Sequence, residues 1–218
     1  MSISSGLLKI AIIALSRELP KVYREGIEKA GAKEIEEIIN VHAVGAAAVG
    51  LASGWIPAAG GMAGMMASTG FVWSMYYRIN KKIGIPISKT AAKSLGSAVL
   101  SNLAGSCMAI VGGTILATLL SFTGIGNFFS SLIMASMDYA VVLVAGIIYL
   151  KLLTGLFKAG KDPANMSGDD LKSHADDVIR QENTKQLLKD AVREYKKKRK
   201  DGEVSGKESV TLEEDEKE

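Results

Sequence analysis

From residue 3 onward, apolar positions first recur at helical spacing. Leu7, Leu8, Ile10, Ile12, Leu15 and Leu19 supply the apolar side of a helix that Ser4 or Ser5 would cap. Pro20 and Gly31 interrupt the pattern, so residues 3–40 are expected to form two or three short amphipathic helices. Periodicity then gives way to unbroken apolarity. Residues 38–77 contain no Asp, Glu, Lys or Arg, and residues 94–150 contain one, Asp138. A surface helix normally shows a charge every few residues on its wet face, so either lipid or other protein must cover these blocks on all sides.

Each block divides at a turn signal. In the first, Trp55-Ile-Pro57 is followed by Gly60-Gly61, where proline fixes one dihedral and the glycines permit positive φ. The arm before this turn, residues 41–55, is short for a hydrocarbon core about 30 Å thick, and the arm after it, 60–77, is near the lower limit. In the second block, Gly124 and Gly126 mark the turn between arms 95–122 and 128–150, both long enough to cross. The expected fold is therefore all-α: two apolar helical hairpins, membrane-embedded or membrane-associated, flanked by amphipathic N-terminal and charged C-terminal helices. Within the first hairpin, Ala46, Gly50 and Gly54 on one arm and Gly60 and Gly64 on the other recur every fourth residue, the spacing that lets helix backbones approach closely.

Residues 1–40, 41–157, 158–200 and 201–218 thus read as four parts: amphipathic helices, a hydrophobic two-hairpin domain, a linker with a charged helix, and an acidic disordered tail. The charged helix is expected from Asp169 or Asp170 to about Lys200, with Leu171, Ala175, Val178, Ile179, Leu187, Leu188, Ala191, Val192 and Tyr195 as its apolar stripe. Charge placement orients the chain. Basic residues fall in the N-terminal segment, in the 78–93 connector and after Lys151, whereas both turns carry none. The positive-inside rule then puts both termini in the cytoplasm, with the inner membrane as the expected location. Trp55, Trp73, Tyr76, Tyr77, Tyr139 and Tyr149 lie toward arm ends, where interfacial aromatics are expected and where a protein core would employ them equally.

Little in the chain suggests a reaction. Cys107 is the lone cysteine, no His, Cys or carboxylate spacing makes a metal site, and no nucleophilic triad is recognisable, so no catalytic residue, metal or cofactor is expected. Asp138 is the residue with the best claim to special chemistry, because a carboxylate inside an apolar arm must be neutral, paired or facing water. His42, Asn102 and Asn127 are its candidate partners, while hydrogen bonding to Ser or Thr inside a bundle is its plain structural alternative. His174 reads as a solvated helix residue. Lys196, Lys197, Lys198, Arg199 and Lys200 would attract anionic lipid headgroups or form a solvated helix end balanced by the acidic tail; without interleaved aromatics, nucleic acid is not the expected partner.

The run from His42 through Ala52, the Pro-Gly turn, the arm ending Met75-Tyr-Tyr-Arg-Ile79, Gly84-Ile-Pro86 and the second Gly-rich hairpin together resemble the bacterial family catalogued as domain of unknown function 697. The resemblance covers residues 38–157 and lies in composition and order. It implies an all-helical membrane-associated module, often joined to or encoded near a small GTPase. No Gly-x-x-x-x-Gly-Lys-Ser/Thr loop is present, so nucleotide hydrolysis is not implied for this chain. The expected function is a non-enzymatic membrane module that binds a lipid bilayer and anchors a cytosolic partner, a GTPase or another copy of itself. An oligomeric pore lined by Asp138, and a soluble bundle that hides a membrane-inserting hairpin, remain as alternatives.

Overall fold

The computed structural model describes residues 3–53, 60–119 and 126–205. Among these the chain is wholly helical, without a strand. The elements are α1 (Ile3–Glu18), α2 (Lys21–Ser53), α3 (Gly60–Ile83), α4 (Lys89–Leu119), α5 (Gly126–Lys158), a 3₁₀ turn (Pro163–Asn165), α6 (Gly168–Gln181) and α7 (Thr184–Lys200).

The N-terminal breaks fall where proline and glycine put them. α1 stops before Pro20, whose carbonyl accepts the Tyr23 and Arg24 amides as α2 begins. Gly31 then sits at φ 72° and ψ 154°, a conformation that costs glycine little and interrupts helical bonding, so α2 is two helical pieces, 21–30 and 32–53. The second piece carries the charged residues 33–37 and the apolar stretch as one continuous element. Leu8, Ile12 and Leu15 of α1, and Leu19 just after it, are fully buried, whereas Ile10, on the same expected side, is 65% exposed.

α5 is the axis of the molecule. It touches every other α-helix, and Val142, Leu143, Val144, Ala145, Ile147 and Ile148 are all buried. A helix apolar all round needs such enclosure, from protein or from lipid. Two stretches, Gly31–Ala52 and Ser131–Lys158, are long and apolar enough to cross a bilayer. Over the second, protein supplies the cover: 78% of its most apolar window is buried, against 44% for the first. Tyr76, Tyr139 and Tyr149 take core positions, with the Tyr76 and Tyr149 rings stacked at 4.1 Å and the Tyr76 hydroxyl donating to the Ala145 carbonyl at 3.0 Å. Trp73 and Tyr77 stay half-buried under lysine ammoniums, Lys93 over the indole at 5.5 Å and Lys89 over the phenol at 5.7 Å.

The C-terminal segment differs from the single helix expected. It breaks at Glu182, which is extended, and restarts because the Asn183 side chain accepts the Gln186 amide as an N-cap. The cap of α6 is likewise not Asp169 or Asp170. Ser167 accepts the Asp170 amide and donates to the Asp170 carboxylate, a reciprocal cap. Ser88 caps α4, accepting the Ala91 amide at 3.1 Å. Leu171, Ala175, Ile179, Leu188, Ala191 and Tyr195 are all buried, and through them the charged segment packs onto α4 and α5 instead of standing apart.

Candidate functional site

The two most charged helices of the chain lie against its two most apolar ones. α6 runs beside α4, with Gly168 near Ser94, Asp176 accepting from the Asn102 amide at 2.7 Å and Thr184 at 3.3 Å from Ser106. Lys151 of α5 pairs with Glu182 at the α6–α7 corner at 2.6 Å. α7 then passes from α4 over α5 to α1. At the crossing, Glu194 is buried and accepts from the Tyr139 hydroxyl at 3.1 Å and from Lys198 at 3.0 Å, while Lys198 also lies 3.0 Å from the Tyr139 oxygen. Burial, with the Glu194 carboxylate alongside, holds the Tyr139 phenol well above its ordinary pKa, so it remains a donor.

One residue earlier, Asp138 faces the other way, toward α2 and α3. It is 5% exposed; its Oδ1 accepts from Ser68 at 3.1 Å and its Oδ2 has no hydrogen-bond partner. The close approach depends on Gly50: a Cβ there would collide with the Asp138 carboxylate and come within 3.0 Å of the Ala135 backbone. Burial pushes the Asp138 pKa up to about 7, with the Ser68 bond pulling the other way. A carboxyl of this kind can take up a proton near neutrality.

His42 is not at this level. It lies eight residues before Gly50 on α2, about 12 Å along the axis, where its Nδ1 is 2.7 Å from the Ile38 carbonyl, its Nε2 is 3.1 Å from Ser74 and its ring meets Phe71 edge-on. Asn102 is engaged by α6, and the side chain of Asn127 lies outside the described part. The plain alternative for Asp138, a serine partner inside a bundle, is the arrangement found. His174 is half-exposed and bonded to Lys161 and the Asp170 carbonyl.

Of the small-residue series, Ala46 is buried and Gly50 receives α5. Gly60, Gly61 and Gly64 form the first turns of α3, and Gly126 opens α5. Pro57, Gly54 and Gly124 lie outside the described residues, as does the side chain of Cys107. Of the basic series, Lys196, Lys197 and Lys200 are exposed, while Lys198 turns inward to Glu194 and Arg199 is half-buried. Sequence reasoning missed Glu194. Its position in line with Leu187, Ala191 and Tyr195 was the available signal, since a carboxylate on a packing stripe needs a buried donor.

A cleft of about 420 Å³ between α4 and α6 is lined by Ser94, Ser97, Ala98, Ser101, Asn102 and Lys172. No group of three or more His, Cys, Asp or Glu able to hold a metal ion occurs among the described residues. No family model matches the chain, and no curated protein or solved structure matches it.

What the geometry defines is a boundary across the bundle at Asp138 and Tyr139. On one side lie the charged residues of α1, of α2 up to Glu37, and of α6 and α7. On the other, the described residues 51–53, 60–67, 107–119 and 126–137 contain no ionisable side chain apart from Cys107. α5 extends 126–138 beyond the α7 crossing and α4 extends 107–119 beyond Ser106, each about 20 Å of helix at about 1.5 Å per residue.

Proposed function

We propose that this chain is a non-enzymatic helical membrane module. Two apolar hairpins, α2–α3 and α4–α5, enter the bilayer from the cytoplasmic face of the inner membrane, and α1, α6 and α7 stay in water as a platform for a partner. One observation carries this reading: charge stops at the Asp138–Tyr139 boundary while helices continue past it. The described parts of these ends, about 20 Å long, fit within a hydrocarbon core of about 30 Å, and the reading is entry from one side. Partner identity rests on the resemblance noted in the sequence, which favours a small GTPase; a second copy of the chain is the other candidate.

Alkaline carbonate extraction tests the reading, and the protein is expected to stay with the membranes. Single cysteines introduced at Ala58 or Ile125, in a Cys107→Ser background, are expected to resist a water-soluble maleimide added to the cytoplasmic face. Full release by carbonate, or free labelling at both positions, would remove the proposal. The enclosure of α5 by protein favours a second reading, a soluble bundle that exposes its uncharged ends on a trigger. Monodisperse behaviour without detergent, together with release by carbonate, would select it. A pore would require liposome leakage that Asp138→Ala abolishes.

A further inference from the structure

α7 carries two faces. Leu188, Ala191, Glu194 and Tyr195 are buried against the bundle. Opposite them, Lys185, Lys189, Arg193, Lys196 and Lys200 are all exposed. At about 100° per residue these five fall within an arc of roughly 80°, so they form one stripe along the full length of the helix. Arg193 pairs with Asp190 at 3.3 Å, and among the described residues no ion pair engages Lys185, Lys189, Lys196 or Lys200.

A helix end in water accounts for only part of this. Cations in the last turn are favoured by the helix dipole, which covers Lys196 to Lys200. The same dipole disfavours a cation in the first turn, where Lys185 stands, and like charges four residues apart repel. A row of ammoniums with no ion pair among the described residues, held against both effects, points to an external anionic surface. Its position says which. The Tyr139–Glu194–Lys198 cluster fixes α7 to α5 at the last turn before charge disappears from the helices.

We infer that the exposed face of α7 binds the anionic phospholipid headgroups that surround the inserted ends. This inference rests on the proposed membrane entry. A lipid surface fits better than nucleic acid because the stripe is one-sided, lies on a helix anchored at Tyr139 and Ser106 where charge ends, and carries no aromatic side chain among its basic residues.

The test is vesicle flotation of the full chain on pure phosphatidylcholine and on phosphatidylcholine mixed with phosphatidylglycerol. It compares the wild type with a Lys185→Gln, Lys189→Gln, Lys196→Gln, Lys200→Gln variant whose helicity is checked by circular dichroism. The wild type is expected to bind the anionic vesicles more tightly, and the variant to lose that gain at roughly fivefold per residue removed, with a weaker salt dependence and unchanged binding to neutral vesicles. Equal wild-type binding to both vesicles, or a variant that keeps the anionic gain, overturns the inference while leaving membrane entry intact. Salt-reversible binding to anionic vesicles alone sinks membrane entry and supports the stripe. Tighter wild-type binding to duplex DNA than to anionic vesicles at equal salt, lost in the variant, overturns it in favour of a nucleic-acid surface.

Discussion

α2 and α5 each hold a stretch that meets the length and apolarity of a membrane span, yet they sit in opposite surroundings. In α5 the stretch is walled in by six helices, and charged groups such as Glu182 and Glu194 reach over its surface to bond Lys151 and Tyr139. In α2 the stretch keeps an open side: Val41 is 39% exposed and Val44, Ala48 and Leu51 are half-buried. Apolarity thus records that water is absent, and only the neighbours tell whether protein or lipid replaces it.

Truncation inside α5 should do the most damage. Leu143 is 1% exposed at the centre of the bundle, and Leu143→Ala is expected to cost about 2–5 kcal/mol by leaving a cavity in packed protein. Chemical denaturation reads this directly. A loss under about 1 kcal/mol would mean that the enclosure of α5 is loose, and the contrast with α2 would collapse.

The next effect is pH-dependent and sits at the boundary itself. The Asp138 pKa is raised from 3.8 to about 7 in the fold, so between these values the unfolded chain gives up a proton that the folded chain retains. The native state is therefore unpenalised below the lower value, loses stability as pH rises through the interval, and carries the whole penalty above pH 7. Its size is on the order of a few kcal/mol. Asp138→Asn should flatten the difference between melting curves at pH 5 and pH 8 and should melt above the wild type at pH 8. Equal slopes for the two proteins would show that Asp138 titrates as an ordinary carboxyl.

How much of this was legible in the sequence depends on whether a local or a distant residue decides. Pro20 and Gly31 act on their own backbone, so their breaks appear where the sequence puts them. The α6–α7 break was hidden because the apolar stripe continues across it, and only the Asn183 side chain, bonded to the Gln186 amide, shows that the helix restarts. The cover of α5 was not legible at all. A valine beneath α7 and a valine beneath lipid have the same hydropathy, and the difference lies with a segment some fifty residues further along the chain. The same holds for Asp138, whose environment is made by Gly50 and Ser68 from two other helices.

Smaller effects sharpen the comparison from within the enclosed half. The Tyr149 hydroxyl donates at 2.5 Å to Asn80, which is 2% exposed and whose Nδ2 has no partner. Tyr149→Phe should cost about 1–3 kcal/mol, because it leaves a second polar atom of Asn80 unsatisfied in a dry site. Lys151→Gln removes a partly exposed ion pair with Glu182, for which a loss of about 1 kcal/mol or less is expected. If the Lys151 variant proved more damaging than the Tyr149 one, the α6–α7 corner would be holding the cover in place, more than the packing beneath it.

The smallest effect is expected on the open side of α2, and it separates the two helices most cleanly. Val41→Ser exchanges an exposed methyl pair for a hydroxyl. In a bundle free in detergent-free buffer, the change in unfolding free energy should stay within about 0.5 kcal/mol, as for surface positions without special contacts. The same substitution in membrane-bound protein reports on a different neighbour. Val41 lies nine residues before Gly50, about 13 Å below the boundary on the charged side, so vesicle affinity should also be unchanged. A loss of more than about 1 kcal/mol in buffer would reveal a protein partner on that face, and α2 would then be as enclosed as α5. A loss of vesicle affinity alone would carry the lipid surface down past Val41 and would require the proposed depth of entry to be redrawn.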